Sequence, residues 1–172
     1  RVAAGAIAKL MLNELGINVQ SGICEIDGIQ ANNYDFSKVS ESEIFALDNE
    51  VEQAQKDAIL KAKNSHNSVG GVALVNVKNA PIGLGEPLYF KLDSQIANAM
   101  MGINAVKAVE IGDGILASKV KGYDNNDQIR KTGFKTNHSG GILGGISNGD
   151  DINVKVYFKA TPSIFIEQET ID

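Results

Sequence analysis

Tryptophan is absent from this 172-residue chain, cysteine occurs once, histidine twice and proline three times, and aromatic side chains make up only 6% of it. A single cysteine excludes an internal disulfide framework and any CxxC pair. Set in the apolar run GICEI, Cys24 reads as a small buried hydrophobe rather than a nucleophile. His66 and His138 stand far apart, neither with a Cys, His or Asp partner at ligand spacing, so no metal site is expected. No apolar run approaches the roughly 20 residues that span a bilayer, and no signal peptide is visible, which makes the cytoplasm the default location. There is no basic excess either. Sixteen Lys and Arg against 21 Asp and Glu leave a net charge of -5, which argues against a nucleic-acid surface while leaving room for a local cluster that holds a small anion. No G-x-G-x-x-G follows a strand, and the GLGEP turn lacks the lysine and hydroxyl of a phosphate loop. A nucleophile elbow and an HExxH helix are also missing.

The chain does have a core. At 43% hydrophobic and 22% charged it is long enough to bury one as a single domain. Val2, Ile7, Leu10, Met11 and Leu15 mark a helix over residues 1–15 that stops at Gly16, and 17–30 reads as strand. Ser40, with Glu43 three residues on, predicts a capping box opening a second helix that continues through Ile44, Leu47, Val51, Ala54, Ala58 and Ile59, its charged residues forming a solvated outer face. Further strands are expected at 70–77, 106–111, 142–146 and 153–158, and a third helix at 93–101. Residues 79–87 read as turn, and 119–136, polar and aperiodic, as a surface connection. Short connections such as 147–151 require antiparallel pairs, so the fold class is α+β rather than a doubly wound sheet.

The most informative stretch is NHSGGILGGISNGDDINVKVYFKATPS, from Asn137 to Ser163. Its glycine pairs permit close backbone approach, and a lysine followed by hydroxyls supplies charge and directional donors for phosphate. The same pattern also describes a plain tight β connection.

Five segments in one order extend the signal along the whole chain: RVAAGAIAK (1–9), SVGGVALV (68–75), PIGLGEP (81–87), INAVKAVEIGDG (103–114) and SGGILGGISNG (139–149). Together they resemble chorismate synthase. The resemblance implies helices sandwiched between antiparallel β layers, a homotetramer, and a chain roughly twice this length, a size still compatible with one large domain. Residues 1–172 look like a single-domain fragment from its centre. It further implies a lyase of the shikimate pathway and aromatic amino acid biosynthesis, converting 5-enolpyruvylshikimate 3-phosphate to chorismate and phosphate by anti 1,4-elimination. Reduced flavin mononucleotide (FMN) is required without net redox change; whether a nicotinamide cofactor such as NADPH reduces it in the same protein stays open. Lys159, Thr161 and Ser163 match flavin-binding positions of the family, where the usual run is Lys-Pro-Thr-Ser-Ser; here it is Lys-Ala-Thr-Pro-Ser, so Ala160 and Pro162 depart from the pattern and Pro162 is the weakest match. Asn104, Ala105 and Gly144 match further flavin contacts. The family's catalytic histidines and phosphate-binding arginines belong to segments absent from this sequence, so neither His66 nor His138 takes their role and this chain alone is expected to be inactive. Two alternatives accompany this reading: a flavin-binding module without turnover, and a structural region whose hairpins and valine strands form a subunit interface.

Overall fold

In a computed structural model, which describes residues 1–171, the chain runs α1 (Val2–Glu14), β1 (Asn18–Ile26), β2 (Ile29–Gln30), α2 (Asn49–Asn64), β3 (Gly71–Lys78), α3 (Leu92–Met101) and β4 (Val106–Ile111). After a 3-10 turn at Gly114–Lys119 follow α4 (Gly122–Asn125), β5 (Ile129–Arg130), β6 (Gly133–Phe134), β7 (Ile142–Leu143), β8 (Ile146–Ser147) and β9 (Ile152–Phe158). Five strands form one antiparallel sheet in the order β2-β1-β3-β9-β4, and the pairs β5-β6 and β7-β8 are separate small hairpins. The architecture is α+β, as expected. No described helix is long and apolar enough to cross a membrane.

The sheet buries different faces on neighbouring strands. On β3 the alternation hides Val72 and Leu74, which pack with Cys24, Leu47, Phe36 and Val39 under the 31–48 connection. On β9 it hides Ile152, Val154 and Val156, which lie on the opposite face, since Val154 pairs with Val75 and Lys155 with Leu74. That second cluster is closed by Leu92, Ile96 and Met100, spaced four apart along one side of α3. Cys24 is 5% exposed, donates to the Val72 carbonyl at 3.4 Å, and burial pushes its thiol up to about 11, so it is packing material as the sequence implied.

The structure corrects three local expectations. The second helix does not begin at Ser40. Residues Val39–Glu41 form only a 3-10 turn, and α2 starts after Asp48, whose carboxylate accepts from Glu50 N at 3.0 Å as a true N-cap and also from the amides of Asn32 and Asn33. The backbone in between is spent on the sheet: Ile23 N donates to Phe45 O at 2.7 Å and Leu47 N to Ile23 O at 2.9 Å, which brings Leu47 into the core. Glu43, the expected capping partner, instead meets Lys56 at 2.9 Å. The strand expected over 17–30 turns back at Asp27-Gly28, and the one over 142–146 at Gly144-Gly145, each pair with positive φ, which is what a two-residue hairpin of right-handed twist requires. The expected first helix is present as α1, and its apolar row stands exposed: Val2, Ile7, Leu10, Met11 and Leu15 are all uncovered, and α1 buries no residue. Periodicity reports which side chains share a face, whereas what covers that face depends on the rest of the fold.

Candidate functional site

The segment after β9 leaves the sheet beside the end of α3. Lys159 N donates to Ala105 O at 2.9 Å, so two stretches far apart in sequence, Asn104-Ala105 and Lys159–Ser163, meet at one corner of the sheet. Ala105 holds φ at +70°, a left-handed conformation costly for a residue with a β-carbon, and it sits where its carbonyl can accept that bond. From the other side the start of β3 supports the segment. A β-carbon on Gly70 would lie 2.6 Å from Phe158 O and 3.3 Å from Ala160 N, so only glycine lets the two backbones pass this closely. Lys159, Thr161, Pro162 and Ser163 are exposed and Ala160 is half-buried. No hydrogen bond or ion pair among the described residues engages the Lys159 ammonium or the Thr161 and Ser163 hydroxyls, so one cation and two hydroxyls face outward on one short segment. An apolar groove of about 390 Å³, lined by Ile23, Ile26, Ile59, Val69 and Phe158, adjoins the corner on one side. A more polar cavity of about 480 Å³, bounded by Lys63, His66, Asn67 and Ser163, shares Lys63 and Asn67 with that groove.

Gly144 lies elsewhere. Its hairpin docks at the opposite end of α3, where Gly145 O accepts from Leu92 N at 2.8 Å, and the ten residues of that helix, about 15 Å long, run between this end and the turn that leads to Ala105. At Gly144 φ is +61° and no atom of the chain lies within 4 Å of the β-carbon position, so the turn explains this glycine without any close approach from within the chain. The hairpin is held by a carboxylate clamp. Asp127 accepts from His138 N at 2.8 Å, Ser139 N at 2.9 Å and Thr136 Oγ1 at 2.7 Å, and His138 Nδ1 meets Asp113 Oδ2 at 2.6 Å. His138 thus fastens the hairpin to the turn after β4, a structural post remote from the Lys159 corner.

The profile of the family described as chorismate synthase matches residues 1–172. The chain belongs to the chorismate synthase family. It is 84% identical over 172 residues to the chorismate synthase of Aliarcobacter butzleri (strain RM4018), covering all of this chain and 48% of that protein. It is 67% identical over 171 residues to that of Sulfurimonas denitrificans (strain ATCC 33889 / DSM 1251), again covering 48% of it. Among solved structures it resembles one described as a crystal structure of chorismate synthase, with a TM-score of 0.87 and 34% identity, over 94% of this chain and 55% of that one. The chain spans about half the length of the curated relatives it matches. Of the positions that the chorismate synthase motifs single out, the structure gathers Asn104, Ala105 and Lys159, Ala160, Thr161, Pro162 and Ser163, and holds Gly144 apart. Sequence reasoning gave no role at this corner to His66, Ser68 or Gly70, which touch this segment; SVGG counted as part of a family motif and as the approach to a strand.

Near the clamp the carboxylates diverge. Burial raises Asp127, but donors from Ser139, Thr136 and His138 outweigh it and hold the carboxyl below the ordinary Asp range. Asp150 lacks such donors. Burial, reinforced by the charges of Asp127 and Asp151, pushes it above that range. A carboxyl that binds its proton more tightly in the folded state adds no penalty below about pH 4, where both states are protonated, and destabilises as pH rises through the folded pKa. Asp150→Asn is therefore expected to raise Tm at pH 7 by about 1–2 °C, with the gain vanishing near pH 3.5; thermal unfolding at the two pH values checks it, and an equal shift at both would remove the electrostatic cause.

Proposed function

We propose that the complete protein carrying this chain is a lyase that converts 5-enolpyruvylshikimate 3-phosphate to chorismate and phosphate by anti 1,4-elimination with reduced FMN, acting in the cytoplasm as a homotetramer, with residues 1–172 as a single-domain portion of it. The observation that carries the site assignment is the Ala105–Lys159 hydrogen bond, which draws the two flavin-matching stretches into one exposed corner. The donor set suits the cofactor. A phosphate-bearing flavin needs a cation and hydroxyls for its phosphate, mixed donors and acceptors for its polar edges and apolar surface for its ring; Lys159, Thr161, Ser163, Asn104 and the neighbouring groove offer these types of contact. The displacement of proline to Pro162 removes one hydroxyl from the family's usual run but leaves the lysine, threonine and last serine in register.

When bound, reduced FMN would supply electron density transiently as phosphate leaves, with no net change in its oxidation state. Lys159 would hold and neutralise the cofactor's anionic end, Thr161 and Ser163 would orient it, and Asn104 would donate and accept at a polar edge. Acid-base groups and cations for the substrate phosphate are assigned to segments outside this chain, so residues 1–172 alone are expected to give no turnover. The deciding measurement is chorismate formation under anaerobic conditions by the full-length protein, given reduced FMN and 5-enolpyruvylshikimate 3-phosphate. Product supports the lyase; folded, flavin-bound protein that forms none would leave a binding module. The exposed apolar row on α1 favours a second reading, in which this region serves chiefly in assembly. Sedimentation would uphold it if assembly persisted while Lys159→Ala left flavin affinity unchanged.

A further inference from the structure

Three long-range ties hold the segment after β9. Lys159 N donates to Ala105 O at 2.9 Å, Ser68 Oγ donates to Thr161 O at 2.6 Å, and Phe165 N donates to His66 O at 3.1 Å, with the His66 ring packed edge-on against Phe165. The first and third join backbone to backbone. The middle one alone depends on a side chain. It also falls where it matters most: Thr161 O is fixed immediately before Pro162, whose ring restricts φ, so securing that carbonyl sets the direction in which the chain carries the Ser163 hydroxyl onward. The turn that presents Ser68 is itself defined, with His66 at φ +59°, Asn67 Oδ1 accepting from Ser68 N at 2.9 Å and Gly70 passing close to Phe158 O.

We infer that Ser68 is a positioning residue of the cofactor corner: its hydroxyl, acting through Thr161 O, holds Thr161 and Ser163 in the arrangement that receives the anionic end of the ligand. The inference rests on the flavin reading of that corner. Among the described residues the Ser68 hydroxyl bonds only Thr161 O, and it contributes by reducing the ordering that binding would otherwise require.

The experiment titrates FMN into the full-length protein by fluorescence quenching for wild type, Ser68→Ala, Ser68→Cys, Ser68→Thr and Lys159→Ala, with the visible absorption band of bound flavin and the unfolding temperature of the flavin-free protein recorded alongside. Loss of one hydrogen bond predicts a Kd about fivefold higher for Ser68→Ala and Ser68→Cys. Ser68→Thr, which keeps the hydroxyl, should return close to wild type in both Kd and band shape, and the flavin-free unfolding temperatures should stay together. Wild-type affinity in Ser68→Ala and Ser68→Cys beside a weakened Lys159→Ala overturns the role of Ser68 and leaves the flavin reading intact. A Ser68→Thr protein as weak as Ser68→Ala overturns it as well, because the hydroxyl would then not be the group that counts. Unchanged affinity in every variant, Lys159→Ala included, overturns the flavin reading and this inference with it. Ser68→Cys, matched in size but a poor donor, preserves the comparison should Ser68→Ala fold badly.

Discussion

Gly112→Val is expected to leave little or no folded protein. Gly112, at φ +59°, crosses Gly140, at φ +63°, with the two backbones in contact: a β-carbon on Gly112 would fall on His138 O and 2.5 Å from Gly140 N, and one on Gly140 would lie 2.5 Å from Gly112 Cα. Both chains are pinned there by Gly112 N to Asn153 O at 2.9 Å and Asp113 N to His138 O at 2.8 Å. Neither can move aside without breaking the junction of β4, β9 and the 137–141 turn. A β-branched residue adds the penalty of a left-handed φ to an overlap with main chain, and the two together should exceed about 4 kcal/mol, a large share of the ~5–15 kcal/mol that domains possess. Gly144→Ala is the control, since it has a similar φ of +61° but open space at the β-carbon, and should cost only about 1–2 kcal/mol. Far-UV circular dichroism checks the loss of folded Gly112→Val, and urea unfolding of Gly112→Ala beside Gly144→Ala measures the difference; equal costs would show that backbone conformation rather than the close crossing decides.

Lys159→Ala should raise the Kd for FMN roughly ten- to a hundredfold, the range for losing a hydrogen bond to a charged group. Lys159 is exposed, and the segment's backbone ties to Ala105 O and Ser68 Oγ do not involve its ammonium, so the substitution should leave the flavin-free protein as stable as wild type. Lys159→Arg retains charge but not the compact geometry of an ammonium and should fall between the two. Salt should narrow the gap between wild type and Lys159→Ala, because an exposed charge is screened. Unchanged affinity in Lys159→Ala at low ionic strength would withdraw Lys159 from the site.

Much of the fold was legible locally. The alternation in β9 and the placement of a helix over 93–101 matched strand and helix within a residue or two, because local pattern reflects a side chain's direction relative to its own backbone. The start of α2 was not legible. Ser40 with Glu43 makes as good a capping box as any, yet Phe45–Leu47 pairs with the bulge in β1, and that competing use of its backbone comes from residues some twenty positions earlier. At the site, Lys159, Thr161 and Ser163 were named from a pattern, whereas Ser68 was hidden: a serine before two glycines has no local mark that its hydroxyl will meet a carbonyl 93 residues away.

By itself the sequence determined membership in the family, the α+β class and the buried, non-nucleophilic character of Cys24, and it named Lys159, Thr161 and Ser163 as the residues to test against an anionic ligand, since composition, short-range periodicity and ordered motifs are properties of neighbouring residues. Tertiary structure decided which face each strand buries, that the apolar row of α1 lies exposed, and that Ala105, Ser68 and Lys159 converge while the Gly144 hairpin docks at the opposite end of α3. The physical reason is that alternation along a strand separates two faces without saying which one will be covered, and a hydrogen bond between distant segments is chosen only once the sheet register has brought them together.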